Sequence, residues 1–307
     1  MALSTAKQTS VERFMEGLSS VPDKWRKVVD FRNADTYSLK IAALHGIGEP
    51  VEWNGSDGLN AANSAAIDST GALTLQYTGF ATQVQLGRFD ILDIPEIVPL
   101  AAQKLGQAVA EKYRKLAFNE LAGFGSNTTA DGVTLGSTSH TLAAGGTRDN
   151  QVNAALSRAN LMIAIKKMRQ FPNYQGQYTS FADGPLLLVV PPSLEQTAIE
   201  IVHSGFNRGG GENSNTEVGM QVNAVSLFNI EIIVDPYMAS DADGAGDDWA
   251  LMTADTSNSP IKLWERSAPN FTLGEIDTDT RELLMTVDFA VGVGTGPQPD
   301  GFVGGEV

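Results

Sequence analysis

Apolar positions along the chain switch between a period of three to four and a period of two, and those switches predict its elements. From Thr9 to Leu18, Val11, Phe14, Met15 and Leu18 fall three and four apart, and Thr9 stands three before Glu12, as in a capping box. This predicts a short amphipathic helix whose stripe docks on its own core or on another chain, since helices below ~12 residues are marginal alone. Tyr37, Leu39 and Ile41 alternate with polar or small residues, as do Leu73, Leu75 and Tyr77. Between them, Gly46, Gly48, Pro50, Asn54, Gly55, Asp57 and Gly58 supply turn chemistry suited to an extended hairpin. The alternation changes phase at Gly79, which predicts a bulge there.

The clearest helix lies between Ile94 and Ala122, with Ile97, Val98, Ala101, Leu105, Ala108, Val109, Tyr113, Leu116, Ala117 and Leu121 on one face. Its continuous part is expected from near Pro99, to span roughly 35 Å, and to stop at a left-handed Gly123. Residues 123 to 147 read as loop, with a short strand at Val133 to Leu135, and a second helix is expected from about Asn150 to Gln170. Leu186 to Val190 is an unbroken apolar run between Gly184-Pro185 and Pro191-Pro192, the pattern of a strand covered on both faces. A helix from Leu194 to His203 follows, then strands at Ile230 to Val234, Trp249 to Met252 and Ile261 to Trp264. Leu283, Met285, Val287, Phe289, Val291 and Val293 alternate strictly, predicting a long strand with one face buried.

Composition narrows the function. The 307 residues are 42% apolar and 19% charged, enough for a sizeable core. With 21 basic against 36 acidic residues the net charge is −15, which argues against a sequence-independent nucleic-acid binder. Residues 231 to 307 alone hold 15 acidic and 3 basic residues, whereas residues 1 to 40 hold 5 and 7. There is no cysteine, so stability rests on packing and association. The N-terminus lacks a signal-peptide pattern and no apolar run approaches the ~20 residues of a membrane span, so a cytoplasmic protein is expected.

Candidate chemistry is thin. His45, His140 and His203 are scattered, and Ser137, Ser139 and His140 share a loop without any G-x-S-x-G elbow. The Asp-rich string Asp241 to Asp248 has Ala245 and Met252 where a calcium loop needs oxygen ligands, so an acidic surface loop is favoured. Gly292 to Gly296 mimics a dinucleotide fingerprint, but Pro297 and Pro299 follow it. Asn207 to Gly211 lacks the Lys-Ser/Thr ending of a phosphate loop. No catalytic, metal or cofactor residue is expected. A soluble hydrolase using His140 or His203 is the remote alternative.

Five strings carry a resemblance: EPVEWNG (49 to 55), the strand end expected at Asp90 to Asp93, DGVTLGSTSH (131 to 140), LLLVVPPSLEQTA (186 to 198) and DDWALM (247 to 252). In this order, with the long helix between, the chain resembles the Mu-like major head subunit family of tailed-bacteriophage capsid proteins, which have the HK97-like fold. The resemblance implies an α+β fold with an N-terminal arm (1–30), an extended hairpin or E-loop (31–86), a P-domain with a long spine helix (87–149 and 265–307) and an A-domain with a central sheet (150–264). It implies self-assembly into hexamers and pentamers of an icosahedral shell that encloses double-stranded DNA without sequence-specific binding. Phe14, Leu18, Glu49, Trp53 and Arg208 are then the expected assembly contacts. The implied partners are a portal, a separate scaffolding protein, since no long extension precedes the arm, and a decoration protein, with no membrane. The implied location is the virion, after assembly in the host cytoplasm. Gly106 and the bulge near Gly79 are expected bending points for shell expansion. Lys40, the only Lys between Lys27 and Lys104, is not expected to form an isopeptide link. Gly209 to Thr216 and Asp241 to Asp248 depart from the family. An encapsulin-like nanocompartment is the alternative container.

Overall fold

A computed structural model describes the chain except residues 1, 35–37, 42–72, 95, 143–144, 173–177, 205, 209–219, 240–245, 278–280 and 307. In order, the elements are α1 (Ala2–Ser20), β1 (Val29–Asn33), β2 (Ser38–Ile41), β3 (Leu73–Gln76), β4 (Thr78–Gly87), α2 (Arg88–Asp93) and α3 (Ile97–Ala122). There follow β5 (His140–Thr141), β6 (Thr147–Arg148), β7 (Gln151–Val152), α4 (Arg158–Arg169), β8 (Phe171–Pro172), β9 (Tyr178–Thr179), β10 (Leu186–Val190) and α5 (Glu195–His203). The last are β11 (Phe206–Arg208), β12 (Met220–Val222), β13 (Ile230–Val234), β14 (Trp249–Thr253), β15 (Ile261–Ile276), β16 (Glu282–Thr295) and β17 (Phe302–Gly305). They form two compact units: Met1–Leu39, Thr74–Phe118 and Lys262–Gly294 make one, and Lys40–Leu73, Asn119–Ile261 and Thr295–Val307 the other.

The first unit is built on a four-stranded sheet in the order β1-β15-β16-β4. The alternation seen in the sequence sets the inward face of β16: Leu283, Met285, Val287, Phe289 and Val291 are buried. Tyr113 of α3 stacks on Phe289 at 5.3 Å, Trp25 stacks on Tyr113 at 5.6 Å, and Phe80 tilts against Phe289 at 5.3 Å. This aromatic ladder joins the helix to the sheet, each contact adding about 0.5–1.5 kcal/mol to simple burial. Across the sheet, Asp30 on β1 accepts from Lys262 on β15 at 3.0 Å and from Arg32 at 2.9 Å.

The second unit holds a mixed five-stranded sheet, β13-β10-β14-β17-β7. β10 is buried throughout, with β13 parallel on one side and β14 antiparallel on the other. Leu186, Leu188 and Val190 share one core with Leu161, Ile165 and Met168 of α4 and Ala198 and Val202 of α5. The opposite face is covered in part by Phe124, which meets Phe302 edge-on at 5.6 Å.

Several elements differ from their sequence reading. α1 extends seven residues further toward the N-terminus than the Thr9 start. Gly79 pairs with Ala290 in regular register, so there is no bulge there; the phase changes at Tyr77, where the chain leaves β3, paired with β2, for β4, paired with β16. Asp90 to Asp93 belong to helix α2 rather than to a strand end. Pro99 is the third residue of α3, tolerated in a first turn whose N–H groups have no partner inside the helix. Gly123 is not left-handed: the helix tightens into a 3-10 turn, and a Cβ there would lie 2.7 Å from Asn127 Nδ2. Between Asn150 and Ser157, Val152 goes into the sheet opposite Gly305, and Ser157 caps α4 by accepting from the Asn160 amide at 3.2 Å. β15 runs twelve residues beyond Trp264, and β17 had no forecast.

Candidate assembly surfaces

The string Asp131 to His140 forms a polar clamp. Asp131 Oδ1 accepts from the Val133 amide at 3.1 Å, and Gly132 turns the chain at φ +78°. His140, wholly buried, sets Nδ1 2.8 Å from Asp131 Oδ2 and Nε2 3.2 Å from the Leu135 carbonyl oxygen. Burial pushes the Asp131 carboxyl up, but hydrogen bonds from His140, Thr129 and the Val133 amide pull it down further, to about 2. Asn150 ties the same loop, accepting from the Ser137 amide at 2.9 Å and donating to the Leu135 carbonyl at 2.7 Å. Although the Ser137 and Ser139 hydroxyls lie 3.4 Å apart, both nitrogens of His140 are committed elsewhere, so the ring offers neither serine a base. Among the described residues no group of three or more His, Asp or Glu converges as a metal site.

The other strings are also structural. The Pro191-Pro192 turn after β10 leads into α5, and Trp249 of DDWALM donates from its indole to the Ala154 carbonyl at 3.1 Å. Gly305 leaves room for that indole: a Cβ there would come within 2.0 Å of it. Gly292 and Gly294 lie inside β16, where a Cβ on Gly294 would be 2.3 Å from Leu75, so their spacing serves close packing. Arg148, which the sequence reading missed, is buried with its guanidinium 2.8 Å from Asp300 and over the Phe171 ring at 4.9 Å.

α1 crosses α3 at a pair of glycines. A Cβ on Gly106 would be 2.2 Å from the Phe14 carbonyl oxygen, and one on Gly17 2.1 Å from the Gln103 carbonyl oxygen. Gly106 therefore marks a close helix crossing, a role that calls for small size rather than for bending. Phe14 is 2% exposed and stacks on Phe271 at 5.0 Å within its own unit. Leu18 is half-buried and lines a groove of about 370 Å³ with Met15, Trp25, Phe31, Tyr113 and Pro269. Beneath it Tyr113 donates to Glu265 Oε2 at 2.6 Å; burial first, then this bond and the Glu265 charge, push the phenol well up. Arg208 lies on β11, opposite Met220. Glu49, Trp53, the EPVEWNG string, Gly209 to Thr216 and most of the Asp241 to Asp248 string lie outside the described residues.

Exposed apolar residues gather on α1, whose stripe the sequence marked, and on α2, which it did not. On α1, Val11 and Met15 remain 47% and 58% exposed. α2 has no buried residue, and Phe89, Leu92 and Ile94 in and after it are 78%, 63% and 53% exposed. Beside it a cavity of about 360 Å³ is lined by Gly87, Arg88, Phe89, Leu92, Arg281 and Glu282. Arg281 is left-handed at φ 56°, the one such non-glycine among the described residues. A six-residue helix with no buried side chain gains little from its own chain, which marks α2 as a candidate surface for another molecule.

Comparison with known proteins follows the same lines. Comparison with curated protein sequences finds no match. Among solved structures, the capsid of Ralstonia phage GP4 superposes with TM-score 0.60 at 13% identity, over 92% of this chain and 88% of that one. The mature capsid of bacteriophage PhiM1 gives 0.59 at 15%, over 93% and 87%. The virus-like particle from Pyrococcus furiosus gives 0.55 at 10%, over 96% of each. The α+β architecture is that of the HK97-like capsid fold. The family model described as phage capsid protein matches residues 80–304, from β4 into β17, and the chain belongs to that family.

Proposed function

We propose that this chain is the major capsid protein of a tailed bacteriophage of the Mu-like type, self-assembling into hexamers and pentamers that close an icosahedral shell around double-stranded DNA. The observation that carries this reading is the family match across residues 80–304. α2 supports it, because a helix with Phe89 and Leu92 exposed gains about 1.5–3 kcal/mol for each such side chain that a neighbouring copy buries. The Mu-like assignment rests on the strings at 131 to 140 and 186 to 198, which form the His140 clamp and the central strand with its turn. A net charge of −15 suits a wall that encloses DNA without gripping it.

In this reading residues 1–30 are the arm, 31–86 the E-loop hairpin, and α3 the spine helix of the P-domain. We draw the A-domain to include 119–149 and 295–307, because β17 pairs with β14 and β7. Leu18, Glu49, Trp53 and Arg208 stand as proposed assembly contacts, and Val11 and Met15 are the outward apolar residues beside the buried Phe14. The partners are further copies of the chain, a portal, a separate scaffolding protein and a decoration protein. The place of action is the virion, assembled in the host cytoplasm.

An encapsulin-like nanocompartment is the second reading, since the fold is shared with the virus-like particle from Pyrococcus furiosus as well as with phage capsids. Particles purified from the producing host decide between them. Nuclease-protected double-stranded DNA inside the particles is the expected result; a protein cargo with no protected DNA overturns the phage reading in favour of the second.

A further inference from the structure

The second unit carries opposite charges at the two ends of its helix layer. α4 packs over β14, β17 and β7, and α5 over β10 and β13, so the helices cover opposite ends of the five-stranded sheet. α4 reads RANLMIAIKKMR, with four basic residues and no acidic one, in a chain of net charge −15. α5 reads EQTAIEIVH, with two glutamates and no lysine or arginine. Glu231 is exposed on β13 at the same end.

Each helix also presents one exposed isoleucine among its outward charges. On α4, Ile163 is 44% exposed and is followed by the exposed Lys166 and Arg169. On α5, Ile199 is 45% exposed and stands between the exposed Glu195 and Glu200. Arg158 is half-buried and Lys167 is held by Asp149 at 2.6 Å, whereas Lys166 and Arg169 are exposed and carry the outward charge, Arg169 with its guanidinium over the Phe228 ring at 4.9 Å. At about 1.5 Å per residue the helices are roughly 18 and 14 Å long, comparable contact lengths. Two α4 surfaces repel each other, as do two α5 surfaces, while an α4 surface and an α5 surface bring an isoleucine to an isoleucine and Lys/Arg to Glu.

We propose that α4 of one copy seats against α5 of the next, a head-to-tail contact between second units held by Lys166 and Arg169 on one side and Glu195 and Glu200 on the other. Because each copy offers both halves at opposite ends of its sheet, the contact repeats in one direction and closes into a ring, as heterologous contacts do when the rotation allows. The proposal rests on the shell reading and adds to it the residues that set the order of copies around a ring.

Sedimentation velocity and negative-stain microscopy on the full-length chain test it. Lys166→Glu with Arg169→Glu is expected to lower the yield of rings or shells at least tenfold, and Glu195→Lys with Glu200→Lys to do the same. The chain carrying all four changes is expected to regain wild-type yield. The neutral pair Lys166→Gln with Arg169→Gln, which adds no repulsion, gives a smaller loss and a weaker response to salt. The reversals put acid in the last turn of α4 and base in the first turn of α5, against each helix dipole, so melting temperatures a few degrees lower accompany each result, with circular dichroism showing a folded chain. Wild-type yield from both charge-reversed pairs overturns the contact while leaving the shell reading intact, as does a folded fourfold variant that stays unassembled, or assembly that closes at a dimer. A wild-type chain that forms neither rings nor shells, alone or co-expressed with the proposed scaffolding protein, overturns the shell reading itself.

Discussion

Replacing Gly106 by alanine sets two effects against each other. In an unobstructed helix the change stabilises by about 1 kcal/mol, the difference in helix propensity. Here the new methyl would lie 2.2 Å from the Phe14 carbonyl oxygen, 2.8 Å from the Leu18 amide nitrogen and 3.1 Å from Gly17 Cα. All three atoms are backbone and cannot rotate away. Ordinary contact needs about 3.5 Å, so α1 must retreat from α3 by roughly 1 Å. Overpacking costs about 1–3 kcal/mol, and contacts this short against backbone fall in the upper part of that range, about 2–3 kcal/mol; complete undocking costs as much, forfeiting the burial of Phe14, about 1.5–3 kcal/mol, and that of Leu18. The clash wins, by a net of about 1–2 kcal/mol against the propensity gain. Trypsin cleavage after Arg13 reads the opening of α1 directly, and that net loss corresponds to roughly 5–30-fold faster cleavage where cleavage follows the open population. Gly17→Ala has the same effect, and the double variant costs less than the sum because one separation relieves both clashes. Gly79→Ala is the control: nothing lies within 4 Å of its Cβ, and cleavage at Arg13 stays at the wild-type rate. A Gly106→Ala chain as stable as wild type, with unchanged cleavage, would refute the crossing.

Three further outcomes follow from the same coordinates. Gly305→Ala drives a methyl to 2.0 Å from the buried Trp249 ring and should cost about 3 kcal/mol or more, read as a melting temperature roughly 6–12 °C lower. Asp131 is held at about 2, below its unfolded value near 3.9, so its contribution is fully present above about pH 4 and is lost as pH falls toward 2. Asp131→Asn should therefore be less stable than wild type at pH 7 in urea titrations, with the difference shrinking through that window; a constant difference down to pH 2 contradicts the clamp. Tyr113→Phe should destabilise by about 1.5–3 kcal/mol through loss of a hydrogen bond to a carboxylate. Because the phenol is pushed well up, absorbance at 295 nm should rise equally in both folded proteins to pH 11; a smaller rise in the variant would show Tyr113 titrating normally.

What the sequence made legible was burial. β10 and β16 were evident because an unbroken apolar run and a strict alternation each have one good physical solution, a doubly covered strand and a half-covered one. Spacing could not separate a role of glycine in conformation from a role in space: Gly106 is needed for the backbone that approaches it, and only the approaching atoms reveal that. Val152 and Leu156 lie in phase with α4 and are buried, yet they serve a strand and a turn, so the periodicity overran the Ser157 cap. β17 was missed because Phe302 to Gly305 has two glycines where alternation would be sought, one of them making room for Trp249. For the surfaces, α2 was hidden because its Phe and Leu read as ordinary core residues until their exposure was known. The opposed charges of α4 and α5 were readable as composition, but not that the helices cover opposite ends of one sheet.

The most direct test of the central claim is the state of association of the purified full-length chain, followed by sedimentation velocity and negative-stain microscopy across concentration and salt. Self-assembly as a capsid subunit predicts rings, tubes or closed shells; a species that stays monomeric or dimeric under every condition, and also when co-expressed with the proposed scaffolding protein, contradicts it.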